Sequence, residues 1–174
     1  VLLASLSLHV HPSEIDSLLR ELDMSIRNRP QYTLKRQEQI DALQRKLRLS
    51  HSDQERYDLY RELFGKYRSY RMDSALWVAN QRVELAKRMK NPLYIRSAEL
   101  NIAEVMIGVA MYKEGLEILD GIKSADLDAS GVSYYYYQYH QVYTLMADYA
   151  FSDQMKEHYR GLAYQYKDSI ISMR

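Results

Sequence analysis

The side chains able to do chemistry in this chain are few in kind. Five histidines, His9, His11, His51, His140 and His158, are the groups that titrate near neutrality or ligate a metal. His9 and His11 form a His-x-His pair that can chelate a cation, but a site needs further ligands and the sequence contains no Cys. No metal site is expected. No His-Glu-x-x-His pair, glycine-rich phosphate loop or Gly-x-Ser-x-Gly elbow occurs. The 23 Asp and Glu lie scattered beside 24 Lys and Arg, the pattern of solvated helix faces rather than of a paired acid and base. Neither a catalytic residue nor a cofactor is expected.

Two stretches stand out by chemistry of another sort. Arg27 to Arg48 holds seven Lys or Arg against Glu38 and Asp41, a basic amphipathic pattern that can dock on acidic lipid or nucleic acid. Aromatic interleaving there is limited to Tyr32, and no nucleic-acid motif accompanies it, so the stretch reads as a solvated helix face. The net charge of +1 likewise predicts no strong pull toward nucleic acid. The second stretch is Tyr134, Tyr135, Tyr136, Tyr137, Gln138, Tyr139 and His140, in a chain with 17 Tyr but 2 Phe and 1 Trp. At 100° per residue it wraps a full helical turn, so some tyrosines face a neighbouring element and others face out.

The elements that position these groups are helices. Apolar residues make up 47% of the 174 residues, and Gly (6) and Pro (3) are scarce, which favours long helices over strands and turns. Ile15, Leu18, Leu19, Leu22 and Ile26 keep helical spacing after Pro12-Ser13. Asn28-Arg29-Pro30 is expected to end that helix and Pro30 to open the next, which carries Leu34, Ile40, Leu43 and Leu47. Ser52 to Glu55 reads as a capping box. Further starts fall at Asp73, Asn91-Pro92, Lys113, Val132 and Ser152. The expectation is an all-α fold of eight helices paired as four antiparallel hairpins.

Alternate helices begin near Ser13, Asp53, Pro92 and Val132, a step of about 40 residues, and a period of that size marks a helical array. The register holds residue by residue: Leu63, Phe64 and Tyr67 fall on Ile102, Ala103 and Met106, then on Val142, Tyr143 and Met146. These nine are the expected core. Hairpins that cannot cover their own apolar face stack into an α-solenoid with a concave groove. The same register places Asp58, Arg61, Ser97, Leu100, Glu104, Tyr137, His140 and Thr144 along that groove. Their mixture of charged, polar and aromatic groups suits a protein or peptide partner, or a small polar ligand.

The segment Ala103 to Leu119, with its stretch Met111-Tyr112-Lys113-Glu114-Gly115-Leu116-Glu117-Ile118-Leu119, resembles a degenerate tetratricopeptide repeat. Met106 stands where that pattern has an aromatic, Ala110 where it has the first Gly, and Gly115 where it has Ala. Glu55 to Asp128 resembles the N-terminal region of bacterial membrane-tethered regulators. That resemblance implies an exported, periplasmic sensor or interaction domain, linked to the membrane and to DNA only through segments outside these residues. The uncharged, mostly apolar Val1 to Val10 resembles the tail of a secretory signal. Residues 1–11 are therefore expected to be a signal remnant or disordered, and residues 12–174 the helical-repeat domain. The alternative is a cytoplasmic tetratricopeptide-type scaffold.

Overall fold

A computed structural model describes residues 12–172. Val1 to Val10, with His9 among them, and His11 at the expected boundary lie outside the described residues. Every regular element among the described residues is helical. They are α1 (Pro12–Leu49), α2 (Asp53–Tyr67), α3 (Met72–Arg88), α4 (Pro92–Gly108), α5 (Tyr112–Asp120), α6 (Ala129–Asp148) and α7 (Asp153–Ile171), with one 3-10 turn at Ser124–Asp126. The chain divides into two compact units, residues 1–42 and 43–174.

Among the described residues seven helices therefore stand where eight were expected, because α1 runs through Pro30 without a break. A proline costs one backbone hydrogen bond and bends the helix. Ending the helix and starting another would instead leave up to four amides and four carbonyls to be capped anew. The expected apolar stripe of α1 exists, but Ile15, Leu18, Leu19, Leu22 and Ile26 are all exposed.

In the second unit three hairpins stack: α2 with α3, α4 with α5, and α6 with α7, with α4 also packed on α3 and α6. The starts are set by caps legible in the sequence. Ser52 Oγ accepts the Glu55 amide at 3.4 Å, and Asn91 Oδ1 accepts the Tyr94 amide at 3.2 Å ahead of Pro92. The Ser52–Glu55 box closes on one side only. The Glu55 carboxylate accepts from the Ser50 hydroxyl at 2.7 Å instead. The ends of α3 and α4 turn through left-handed residues that are not glycine, Lys90 at φ 52° and Ala110 at φ 63°. Each turn is closed by a bond that reaches back into the helix, Asn91 N–H to Ala86 O and Met111 N–H to Met106 O.

Leu63, Phe64, Tyr67, Ala103 and Val142 are buried as the register requires, while Ile102, Met106, Tyr143 and Met146 are half-buried. Leu100, Ala103, Ile107, Leu119, Tyr139 and Val142 share one apolar cluster. Tyr57, Val83, Leu85, Ala86 and Ala98 form another between α2, α3 and α4. The tyrosine surplus does structural work in the last hairpin. The Tyr139 and Tyr166 rings stack at 4.4 Å and 6°, and Tyr143 lies between Tyr139, Tyr159 and Tyr166.

Candidate functional site

A groove of about 480 Å³ opens between α2, α4 and the start of α6. Three of the expected groove residues, Asp58, Arg61 and Ser97, line it, and Leu100 forms part of its floor. Leu100 is 1% exposed and belongs to the core cluster, so it gives shape rather than a free contact. Arg61 lies at the rim and pairs with Asp58 at 3.5 Å.

The other four residues are placed elsewhere. Glu104 and Tyr137 line an adjoining depression, which shares Arg68 with the groove. His140 and Thr144 line a third hollow together with Arg160, Ala163 and Lys167 of α7. The His140 ring donates through Nδ1 to the Ala163 carbonyl at 3.0 Å, and Thr144 Oγ1 donates to the His140 carbonyl at 2.7 Å. The eight residues thus border three hollows rather than one row.

The cause lies in the course of α6, whose opening residues alone line the groove. It begins at Ala129, one turn before the expected Val132. Asp128 caps it by accepting the Gly131 amide at 2.7 Å and the Ser130 hydroxyl at 2.9 Å. Those two bonds hold the Asp128 carboxyl below its usual range. The early turn sets Asp128, Ser130 and Gly131 against the groove, beside Tyr134. Tyr134 is the residue of the tyrosine run that lines the groove, while Tyr137 and His140 lie about one and two turns further along the helix, beside the other two hollows.

Several groove residues were not anticipated. Tyr57 stacks on Tyr94 with ring centroids 4.5 Å apart and planes 8° apart, and its hydroxyl donates to the Tyr94 carbonyl at 2.9 Å. Arg82 of α3 is 2% exposed, with its guanidinium 4.3 Å from the Tyr57 ring centre. It donates to Asn101 Oδ1. The Asn101 amide in turn reaches the Tyr134 hydroxyl at 3.5 Å, and that hydroxyl donates to Glu104, which also pairs with Arg68 at 3.0 Å. This polar chain ties α3, α4, α6 and the end of α2 together. Burial, reinforced by the Glu104 carboxylate, raises the Tyr134 hydroxyl far above its usual range, so it stays a neutral donor. Burial lowers Arg82 against the opposing influence of the Tyr57 hydroxyl, and the like charge of Arg61 adds to the lowering.

One signal for this set was present in the sequence. Arg82 falls in phase with Ala75, Ala79 and Ala86, and Asn101 sits between Leu100 and Ile102. Both are polar residues at positions whose helical phase is apolar. The remaining histidines, His51 and His158, are exposed.

A family model described as the SusR N-terminal TPR domain matches residues 26–174. No curated protein and no solved structure matches the chain.

Proposed function

Because the chain belongs to the SusR N-terminal TPR domain family, a helical-repeat interaction module, we propose that it works without catalysis, as the exported sensor or interaction domain of a larger membrane-tethered regulator. The groove between α2, α4 and α6 captures a peptide segment or a small polar ligand. The observation that carries this reading is the groove itself. Its wall combines the stacked Tyr57 and Tyr94 rings, the Tyr134 hydroxyl, and arginines at rim and floor. Such a wall offers flat apolar faces and fixed polar groups to one extended ligand. Tertiary contacts from three successive hairpins build it, so its shape is set before a ligand arrives. Direct contact with nucleic acid is not part of this role. No helix of the described residues is long and apolar enough to cross a membrane, and the membrane link belongs to segments outside them.

Two experiments test the reading. A photoreactive residue replacing Asp58 or Ser97 in the full-length protein, in its own cells, is expected to trap a partner. One replacing Lys113, an exposed side chain of α5, is not. Adducts from Lys113 alone would move the binding surface away from the groove. For location, alkaline phosphatase joined after Arg174 in the natural reading frame is expected to be active. An inactive phosphatase with an active β-galactosidase at the same point would support a cytoplasmic scaffold.

A further inference from the structure

Arg82 is the largest fully buried side chain among the described residues, and it is a charge without a counter-charge. Its Nε has no hydrogen-bond partner. Among the described residues it forms no ion pair, and the carboxylates in and beside the groove are engaged by others. Asp58 is held by Arg61 at 3.5 Å and by the Gln54 amide at 2.9 Å. Asp128 caps α6, and Glu104 takes Arg68 and the Tyr134 hydroxyl. What satisfies Arg82 is neutral throughout: the Asn101 amide oxygen, the Tyr57 hydroxyl and the face of the Tyr57 ring.

A guanidinium taken out of water costs free energy that a well-placed anion with good hydrogen-bond geometry offsets. Nε of Arg82 is the donor left over, and a guanidinium edge is the geometry that carboxylates match with two parallel hydrogen bonds. Arg82 lines the floor of the open groove, and Arg61 stands at the rim above it. The loose 3.5 Å contact of Arg61 with Asp58, both well exposed, leaves Arg61 able to turn toward an incoming anion.

We infer that the groove is an anion subsite, in which Arg82 and Arg61 receive a carboxylate of the bound peptide while Tyr57, Tyr94 and Asn101 hold the adjoining backbone. This rests on the reading of the groove as the ligand site and adds to it the charge that the ligand carries. The carboxylate belongs to an acidic side chain or to a free C-terminus, and both present the same group to the guanidinium.

The test uses the 174-residue chain and three short peptides at constant ionic strength, followed by backbone amide shifts in NMR. The first is acetyl-Ala-Glu-Glu-Ala-amide, the second its Gln counterpart, and the third acetyl-Ala-Ala-Ala with a free carboxylate. At least one carboxylate peptide is expected to bind tenfold or more tightly than the Gln peptide, with shifts centred on Ser97, Asn101 and Gly131. The peptide that binds identifies the source of the carboxylate. Arg82→Met is expected to abolish the preference while preserving the fold, since an apolar side chain of similar length suits a buried site. Arg61→Ala, at an exposed position, is expected to weaken the preference and serves if Arg82→Met does not fold. Equal binding of all three peptides in a groove-dependent way would overturn the anion subsite and leave the groove reading standing. So would carboxylate binding that neither variant alters, which marks surface attraction only. Absence of binding by all three overturns the subsite, while the crosslinking experiment judges the groove independently.

Discussion

Tyr134 is the residue on which the polar groups of the groove converge. Its hydroxyl gives to Glu104 and takes from Asn101, which in turn accepts from Arg82. Tyr134→Phe leaves those partners in place with the hydroxyl gone. The expected loss is about 1–3 kcal/mol, the cost of unsatisfied buried polar groups, read from urea denaturation. Tyrosine burial also fixes the response to alkali. Tyr134 and Tyr139 are both raised well above the ordinary tyrosine value, first by burial and then by the carboxylates of Glu104 and Asp120. An unfolded tyrosine ionises near about pH 10. Above that pH the unfolded chain releases protons that the native chain retains, so stability falls as pH rises. Below it the contribution is complete. The urea midpoint is expected to stay level from neutrality to about pH 9 and to drop beyond about pH 10. Tyrosinate absorbance from these two rings should appear together with unfolding.

At the scale of the element, two positions of the α4–α5 hairpin depart from the tetratricopeptide pattern in opposite senses. Ala110 occupies a left-handed turn at φ 63° where the pattern has Gly. A side chain there costs about 1–2 kcal/mol, so Ala110→Gly is expected to stabilise the fold by about 1 kcal/mol, measured as a rise in denaturation midpoint. Gly115 stands where the pattern has Ala, and a methyl group built there would come within 2.8 Å of Ile107 Cγ1. Overpacking of this kind costs about 1–3 kcal/mol, against about 1 kcal/mol gained in helix propensity. Gly115→Ala is expected to be destabilising despite restoring the pattern. A stabilised Gly115→Ala protein would mean that α4 and α5 are less tightly apposed than described. The departures are thus fitted to this hairpin, with a large Ile107 packed close to a small Gly115.

The whole molecule depends on hairpins covering one another. Phe64 is 4% exposed, and Phe64→Ala is expected to cost about 3–5 kcal/mol in chemical denaturation. Trp77, 55% exposed although it is the sole tryptophan, is expected to cost under about 1 kcal/mol on the same change, as surface positions do. If the two losses were equal, burial in the stacked hairpins would not be what sets stability. The groove exists only at this scale, because α2, α4 and α6 each contribute a wall that none forms alone.

Local forces made much of this legible without a structure. Caps at Ser52, Asn91 and Ser152 set three helix starts, the step of about 40 residues set the hairpin pairing, and helical phase identified Leu63, Phe64, Tyr67, Ala103 and Val142 as core. Asp58, Arg61 and Ser97 were legible as groove residues for the same reason, since equivalent faces of repeated helices point the same way. What only the structure showed was the continuity of α1 through Pro30, the early start of α6, and the division of the expected row into three hollows along α6, which leaves Tyr134 in the groove and Tyr137 and His140 outside it. The burial of Arg82 belongs there too. Periodicity records which face of a helix turns inward, but whether an arginine on that face is tolerated depends on Tyr57 and Asn101 from two other helices. Those partners lie 25 residues before it and 19 after it in the chain (82 − 57 and 101 − 82), beyond the reach of any local pattern.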